Sequence, residues 1–545
     1  MKKKYIASFF IVVLSASCSI GQQSKDPASY EAQAASVQRA LDMPVYPKKA
    51  KNIILFVGDG MGISTITAAR ILDGQIRGET GEENVLSFEQ LDHLALSKTY
   101  NSNSQVPDSA GTMTAMVTGH KTKQGIISYS KEVVRGDHTS TKDFGGDAKP
   151  LKTILQSFEE MGKSSGLVTT SRITHATPAS CYAHSADRNW ENDRDIKQRN
   201  KEAYSAGVKD IALQLIEMPY GDGVDVALGG GRRSFLPSDI TDPEDEGTQG
   251  VRLDGRNLIN EWVNKKDAIY VWNKQQFDDI DTVRTKKLLG LFERSHMQYE
   301  HDRTSSGQPS EPSLAEMTVT AIRILRNNPN GFFLNVEGGR IDHGHHAGNA
   351  YRALIDTIAF ADAVAAALKE LSEEEKKDTL IIVTADHSHT LTIGGYSVRG
   401  NPILGKALYN DAAGNPKKEI ERDMLGLPFT ALAYANGGGY TGPMINVENL
   451  EILNGGQKYR KEFGGPLSSS SGKYEYIKVP HPGRPDLTKV DTTDPDYIQE
   501  ALIPLTSETH AGEDVPIFAQ GPGAYLFRGV REQNYIFHVM ETVSE

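Results

Sequence analysis

The sequence has little cysteine and no long apolar segment beyond its first residues. Only two of its 545 residues are cysteines, Cys18 and Cys181. If Cys18 belongs to an export signal, Cys181 has no partner for an intrachain disulfide and is expected to be an inert buried thiol. Beyond residues 5–14, no segment is apolar enough to cross a bilayer as a helix. Stability must therefore come from a buried core and from bound ions.

An excess of positive charge is also absent. The formal net charge is −12, from 59 basic and 71 acidic residues, so nucleic acid is not expected as a specific partner. With 38% hydrophobic residues, 24% charged residues and 51 glycines, the composition is typical of a loop-rich globular protein. The length suits two or more average domains or one large α/β enzyme with insertions.

The first 17 residues have the pattern of an export signal. Lys2, Lys3 and Lys4 precede an apolar stretch at 5–14, which small residues follow; the segment is too short to span a membrane. The run Ser15-Ala16-Ser17-Cys18 resembles a bacterial lipobox, whose cysteine would be acylated. We expect an exported protein, periplasmic or at the cell surface, with a lipid anchor at Cys18. The alternative is ordinary signal cleavage that releases the protein.

Continuous apolar runs recur along the chain and predict strands that are buried on both faces, as in a parallel sheet. They lie at 53–57, 166–170, 224–228, 331–336, 379–384 and 515–519. Amphipathic helices are expected between them; residues 354–368 repeat apolar positions at spacings of three and four, with Asp356 on the surface. This alternation predicts an α/β/α sandwich around a large, mostly parallel sheet.

The same pattern divides the chain into regions. Residues 1–17 are the predicted signal peptide, and the polar residues 18–49 are a tether and N-terminal arm. Clusters of glycine, proline, asparagine and serine at 393–507 predict an inserted subdomain. Because a metal-type histidine follows it at 510, we expect a discontinuous catalytic α/β domain made of 50–392 and 508–545.

Acids and histidines follow the predicted strands. Ligands of such sheets bind beyond the carboxyl ends of the strands. Asp342 and His346 are four residues apart and share one face if the chain is helical there. His510 would complete a zinc site that keeps one position open.

Two more cation sites are expected beside the first. Asp386 and His387, with Asp59 on a glycine-flanked turn, predict a second zinc site. Glu337, Thr177 and the other carboxylate oxygen of Asp59 supply the hard oxygen ligands that suit magnesium. Since the run Asp108-Ser109-Ala110 offers a serine nucleophile before a predicted helix at 110–117, the set indicates metal-dependent phosphoryl transfer to serine.

These motifs, together with Leu228-Gly-Gly-Gly-Arg232 and Leu289-Gly-Leu-Phe-Glu293, resemble the alkaline phosphatase family, in its animal-type branch, from about Lys51 onward. The resemblance implies an alkaline-phosphatase-like fold with a crown-like insertion. It also implies hydrolysis of phosphate monoesters at alkaline pH, with broad substrate range and release of inorganic phosphate and an alcohol. A homodimer with 393–507 near the interface is expected, and we interpret the chain as a bacterial exported form.

The resemblance also implies residue roles. Ser109 would become phosphorylated, Arg188 would grip two phosphate oxygens, Asp108 would orient Arg188, and His175 would act through a water on magnesium. The metal ligands that it implies are the same as those expected above: Asp342, His346 and His510 for the first zinc, Asp59, Asp386 and His387 for the second, and Asp59, Thr177 and Glu337 for magnesium.

Animal-type members hold a further calcium ion, and this chain matches its ligand positions with four residues. They are Glu244, the carbonyl of Phe292, Glu293 and Glu311, which replaces the usual aspartate. The alternative for Glu244 is a solvated loop acid. The cysteines of the animal enzymes are absent, so their disulfides are not expected.

Two other interpretations stay open on sequence alone. A sulfatase or phosphodiesterase of the same superfamily is one, although the Cys/Ser-x-Pro-x-Arg motif of sulfatases is missing around Ser109. An inactive metal- or calcium-binding surface protein is the other, and the presence of both Ser109 and Arg188 argues against it. Counting the expected cations and carboxylates favours a phosphate monoester dianion over a diester.

Overall fold

A computed structural model describes residues 49–305, 307–440 and 484–544. The predicted signal peptide, most of the tether with Cys18, and residues 441–483 of the predicted insertion lie outside them. The strands are β1 Asn52–Gly58, β2 His93–Lys98, β3 Ser164–Arg172, β4 Val226–Gly230, β5 Ala268–Val271, β6 Lys287–Leu291, β7 Phe332–Gly338, β8 Thr379–Ala385, β9 Ser388–His389, β10 Leu391–Ile393, β11 Leu408–Asn410, β12 Pro416–Ile420, β13 Leu432–Gly437, β14 Ala501–Pro504, β15 His510–Ala511, β16 Val515–Gln520 and β17 Val530–Glu532.

Helices connect most of these strands. The α-helices are Ile63–Ile76, Ser109–Thr118, Ile154–Glu160, Ala176–Tyr182, Asp193–Arg199, Lys201–Ser205, Ile211–Ile216, Leu258–Val263, Lys274–Asp278, Glu300–Ser305, Leu314–Leu325, Arg340–His346, Ala350–Glu370, Glu373–Asp378 and Tyr535–Ser544. Short 3-10 turns lie at Ser87–Gln90, His138–Ser140, Lys142–Phe144, Arg232–Ser234, Leu487–Lys489 and Ala524–Leu526. Among the described residues, no helix has the length and apolarity that crossing a bilayer requires.

One ten-stranded sheet organises the fold, in the order β17-β2-β16-β8-β1-β7-β3-β4-β6-β5. Every neighbouring pair is parallel except the two pairs made by β16, which runs antiparallel to β2 and to β8. All six predicted apolar runs overlap strands of this sheet. The prediction of a large, mostly parallel sheet is confirmed.

The sheet is covered on both faces. Ile53, Leu55 and Val57 of β1 belong to one apolar cluster, and the alternating residues Ile54 and Phe56 belong to another. The first cluster includes the helices Ser109–Thr118, Ala176–Tyr182 and Tyr535–Ser544, and the second includes Ile63–Ile76, Leu314–Leu325 and Ala350–Glu370. Because successive strand residues point to opposite faces, this confirms the α/β/α sandwich.

The predicted helix over 354–368 is present as Ala350–Glu370, but one of its expected surface positions is wrong. Asp356 is buried, with 5% of its surface exposed, and it accepts a hydrogen bond from the backbone N–H of Glu300 at 3.2 Å. The helix Glu300–Ser305 packs against this side of the long helix. Amphipathic spacing identifies the face toward the sheet and cannot reveal a second covering element.

Small sheets flank the large one near its carboxyl edge. β10, β13 and β14 form a three-stranded sheet, and β11 pairs with β12. The short pair β9 and β15 aligns His389 with His510, which returns the chain after 484–507 to the end of β8. The division of the chain into a catalytic domain and an insertion at 393–507 stays a prediction.

Candidate active site

Three neighbouring strands deliver acids to one edge of the sheet. β1 lies between β7 and β8, with Val57 level with Glu337 and Gly58 level with Ala385. Asp59 and Asp386 therefore leave parallel strands side by side, and Glu337 occupies the end of the third. The turn after β1 needs glycine at position 60, where φ is +72° and a Cβ would lie 2.3 Å from the ring of His389.

Ser109 is the first residue of the helix Ser109–Thr118, and Asp108 caps that helix by accepting from the backbone N–H of Gly111 at 3.1 Å. The Ser109 side chain is buried. Its Oγ lies 3.3 Å from Nε2 of His387 and 3.5 Å from Oδ1 of Asp59. The hydroxyl thus lies at a helix N-terminus, where unpaired N–H groups favour an anion.

Asp342, His346 and His510 converge as predicted. Oδ1 of Asp342 lies 3.3 Å from Nε2 of His346 and 3.2 Å from Nε2 of His510, and the two nitrogens are 3.1 Å apart. Nδ1 of His346 bonds the carbonyl of Glu508 at 2.7 Å, and Nδ1 of His510 bonds that of Pro107 at 2.8 Å. Carbonyls only accept, so each Nδ1 carries the proton and each Nε2 presents a lone pair. Lone pairs that face each other and a carboxylate fit a bound cation.

A second cluster surrounds His387, where a ring nitrogen again faces carboxylates. Its Nε2 lies 3.3 Å from Oδ1 of Asp59 and 3.3 Å from Oδ2 of Asp386, while its Nδ1 faces the carbonyl of Ser388 at 3.3 Å. Burial lowers the pKa of His387 well below its ordinary value, which keeps the imidazole neutral. Burial, with repulsion from neighbouring carboxylates, raises the pKa of Asp59 and of Asp386. A cation would relieve this repulsion.

A third cluster contains buried polar atoms without a regular hydrogen bond. In the described part of the chain, these atoms include Oδ2 of Asp59, Oγ1 of Thr177 and Oε1 of Glu337. One carboxylate oxygen each of Asp59 and Glu337 and a ring nitrogen of His175 lie within 4.8 Å of one another. Burial raises the pKa of Glu337. Unpaired buried oxygens are costly, so this donor set fits a hard cation such as magnesium.

Arg188 is held at the same edge by Asp108. Its Nη1 donates to Oδ2 of Asp108 at 3.0 Å, and its Nη2 donates to Nε2 of His175 at 3.2 Å. Although burial alone would raise the pKa of Asp108, Arg188 and two backbone amides hold it below its ordinary value. Since arginine only donates, Nδ1 of His175 carries the ring proton. That N–H can donate to a water and cannot ligate a cation directly.

The predicted nucleophile, arginine and first-cluster residues open into one polar cavity. Its volume is about 370 Å³, and its lining includes Ser109, Arg188, Asp342, His346 and His510. The predicted nucleophile and phosphate-gripping arginine therefore share a space large enough for a small phosphate ester.

Sequence reasoning missed residues that support the ligands. His389 joins Asp342 to Glu508, with 2.8 Å from its Nε2 to Oδ1 of Asp342 and 2.6 Å from its Nδ1 to Oε2 of Glu508. Burial would lower the pKa of His389, but the two carboxylates raise it to about 10. Thr169 bonds Glu337. The sequence offered one signal for these residues, because His389 lies near the predicted ligand Asp386 along the chain and Glu508 lies near the predicted ligand His510.

The predicted calcium residues are neighbours but do not converge as the other sets do. Glu244 is paired with Arg232 at 2.5 Å, while Gln298 donates at 2.8 Å to both Glu293 and Glu311. Burial and neighbouring carboxylates raise the pKa of Glu293 to about 7 and of Glu311 to about 8. Oε2 of Glu311 is one of the unpaired buried atoms in the described residues. The calcium site, with its fourth ligand at the carbonyl of Phe292, stays a prediction.

Comparison with known proteins identifies relatives along nearly the whole chain. The tissue-nonspecific alkaline phosphatase of Gallus gallus is 41% identical over 546 residues, covering 98% of this chain and 93% of that protein. An alkaline phosphatase of Gadus morhua is 42% identical over 513 residues, covering 93% of this chain and 94% of that protein.

The fold also matches a solved structure. The alkaline phosphatase of Thermus thermophilus superimposes with a TM-score of 0.59 and 24% identity, covering 92% of this chain and 93% of that one. A family model described as alkaline phosphatase matches residues 50–545. The chain therefore belongs to the alkaline phosphatase family.

Proposed function

We propose that the protein hydrolyses phosphate monoesters, the reaction of its family, by passing the phosphoryl group through Ser109. The observation that carries this proposal is the position of the Ser109 hydroxyl. It starts a helix, borders the cavity that Arg188 also lines, and lies 3.3 Å from the Nε2 lone pair of His387. Burial lowers the pKa of His387, so its ring is neutral and its Nε2 lone pair is available to a cation beside the hydroxyl.

The side chains fit cations that would be held in three places. Asp342, His346 and His510 would hold one zinc, and Asp59, Asp386 and His387 a second; Asp59, Thr177 and Glu337 would hold magnesium. When bound, these cations would supply Lewis acidity that stabilises negative charge on the Ser109 oxygen, on the leaving oxygen and on the attacking water.

In the first displacement, the Ser109 Oγ–P bond forms as the P–O bond to the alcohol breaks, and the alcohol leaves with a proton. Arg188 can donate two parallel hydrogen bonds to non-bridging oxygens, because a guanidinium fork matches a phosphate. Asp108 keeps that fork in place through its 3.0 Å contact. The helix N-terminus at Ser109 also favours the phosphoryl charge.

In the second displacement, water attacks the phosphoserine from the side that the alcohol left. The Oγ–P bond breaks, Ser109 regains its proton, and inorganic phosphate leaves. Two in-line displacements give net retention at phosphorus. The N–H at Nδ1 of His175 would orient a water beside Asp59 and Glu337. Little in this chemistry contacts the alcohol, so we propose a broad substrate range and an optimum at alkaline pH.

Further proposals rest on the sequence pattern. The export signal and Cys18 support an exported, lipid-anchored protein in the periplasm or at the cell surface of a bacterium. Membership of the family supports a homodimer. Glu244, Phe292, Glu293 and Glu311 support a calcium site, because burial and mutual repulsion leave Glu293 and Glu311 in need of a positive partner.

The test compares wild type with Ser109→Ala and with the control Ser97→Ala. Ser97 is equally buried, lies on β2, and its Oγ is among the unpaired atoms of the described residues. With zinc and magnesium present, we expect Ser109→Ala to lose at least roughly 10³-fold in kcat for an aryl phosphate. Ser97→Ala keeps wild-type turnover. Undiminished turnover by Ser109→Ala would remove Ser109 from its role, and turnover by chelated wild type would refute the metal dependence.

A further inference from the structure

The cavity above Ser109 contains three arginines, and the proposed reaction uses only one of them. Besides Arg188, the lining includes Arg172 and Arg135. Arg172 forms a bidentate ion pair with Glu191, in which Nε donates to Oε2 at 2.7 Å and Nη2 donates to Oε1 at 2.6 Å. Such a short bidentate pair satisfies most of the charge of Arg172.

Arg135 is less well compensated than either neighbour. Its Nε and Nη2 both lie 3.4 Å from a single oxygen, Oδ1 of Asp187. That oxygen already accepts two hydrogen bonds from Asn189, each at 3.0 Å. Charge-assisted hydrogen bonds are normally about 2.7–2.9 Å. The side chain of Arg135 is 41% exposed, so its guanidinium can still bind an incoming anion.

Arg135 is also close to the groups that hold phosphate. Its guanidinium lies over Gly125, where a Cβ would be 2.3 Å from Cζ of Arg135. The N–H of Gly125 donates to Asp108 at 2.9 Å, and its carbonyl accepts from the N–H of Arg188 at 2.9 Å. The backbone of Gly125 therefore lies between the guanidinium of Arg135 and the pair of Asp108 and Arg188. The φ of +79° at Gly125 favours glycine there.

We propose that Arg135 is a specificity-determining residue that favours phosphate monoesters whose alcohol part carries a second oxyanion, a carboxylate or a phosphoryl group. The inference rests on the proposed function, since it places the reacting phosphate between Ser109 and Arg188. A second anion beyond the scissile bond would then face Arg135 at the cavity rim. An arginine fork suits either group, and a partly exposed ion pair discriminates modestly.

The test uses esters that differ only in that second charge. One pair is 4-carboxyphenyl phosphate and its carboxyl methyl ester; the other is 4-phosphonophenyl phosphate and its dimethyl phosphonate. For each enzyme, kcat/KM of the charged ester is divided by that of its neutral partner. The variants are Arg135→Ala, Arg135→Lys and the control Arg77→Ala, whose side chain is 47% exposed and paired with Asp73 outside the cavity.

We expect Arg135→Ala to lower this ratio roughly fivefold, Arg135→Lys to lower it less, and Arg77→Ala to keep the wild-type ratio. Raising the ionic strength should lower the ratio in wild type and not in Arg135→Ala. The ester pair with the larger loss identifies the preferred anion. If both esters of a pair are hydrolysed and the ratio of their kcat/KM values is the same in wild type and in Arg135→Ala, the proposal is overturned. Failure of the proposed function would instead appear as turnover of all esters independent of Ser109.

Discussion

Hydrogen bonds fix the ring tautomers of the ligand histidines. His346, His387 and His510 each direct Nδ1 to a backbone carbonyl, so each Nε2 faces the site as a lone pair. Such orientation by surrounding groups is how proteins prepare imidazoles for cations. The neutral form is also favoured by burial, which lowers the pKa of His346 and His387. The backbone thus determines which atoms can coordinate.

Glu508 is not one of the proposed cation ligands but supports one of them, Asp342, through a hydrogen bond to His389. Glu508 is buried, and its other oxygen accepts from the backbone and hydroxyl of Thr390 at 2.7 Å. We predict that Glu508→Gln weakens binding of the zinc proposed at Asp342, His346 and His510 about 10- to 100-fold. The reason is that His389 loses its charged partner and no longer fixes the carboxylate of Asp342.

Competition with a zinc-binding dye measures this change. The control is Glu513→Gln, an exposed carboxyl in the same segment, which should release zinc as wild type does. Wild-type zinc retention by Glu508→Gln would contradict the support that we assign to this carboxylate.

Spacing in the sequence predicted some of these residues and missed others. Asp342 and His346, four apart, lie on the helix Arg340–His346 and converge with His510. Residue type suggests His510 as the third ligand and the family resemblance implies the same, although the 163 positions between His346 and His510 carry no distance information. His389 and Glu508 were missed since their roles depend on hydrogen bonds that only the fold creates.

Among the elements, long strands were predictable and short ones were not. The apolar runs at 53–57 and 379–384 differ from β1 and β8 by a residue or two at their ends, because both faces of these strands are buried and demand apolar side chains. β11 and β12 are mostly exposed, so no hydrophobic pattern marks them. The order of the strands was beyond reach of periodicity, which describes one element at a time.

A buried acid joins the helix Ile154–Glu160 to the strand β3, beside a second acid that directly precedes β4. Glu159 accepts from the hydroxyl of Ser165 at 2.5 Å, and Asp225 accepts from the N–H of Ser165 at 3.0 Å. Burial raises the pKa of Glu159 from an ordinary 4.5 to about 8. The folded protein therefore holds a proton here at pH values where the unfolded chain has released it.

Because the folded protein binds this proton more tightly than the unfolded chain, its free energy of unfolding falls as the pH rises. The contribution of Glu159 to the free energy of unfolding is fully present below about pH 4.5 and is lost as the pH rises through about 8. The slope from one proton is on the order of 1 kcal/mol per pH unit. We predict that Glu159→Gln removes this slope, so that the variant loses less stability than wild type between pH 6 and pH 9.

Thermal unfolding of the metal-loaded protein across that range measures the effect. Glu160→Gln is the control, because Glu160 is exposed on the same helix, and its profile should match wild type. A Glu159→Gln profile parallel to that of wild type would contradict a protonated Glu159 in the folded state.

The protein as a whole assembles its site from distant parts of the chain. Ligand positions run from Asp59 to His510, and they lie on or beside three adjacent strands, the helices Ala176–Tyr182 and Arg340–His346, and the short strand β15. The folded core thereby holds buried carboxylates near one another, which is unfavourable without cations. Ligand type predicts zinc and magnesium, and the family resemblance implies the same ions and their roles; the carboxylates and imidazoles alone are compatible with several divalent metals.

Acid trapping of the phosphorylated protein, followed by mass spectrometry of its peptides, tests most directly whether Ser109 carries the phosphoryl group. Wild type loaded with zinc and magnesium is mixed with an aryl phosphate or inorganic phosphate and quenched at low pH. We predict a phosphoryl group on Ser109 in wild type and in Ser97→Ala, and none after chelation. A phosphoryl group on another residue, or trapping that survives removal of the metals, would contradict the account.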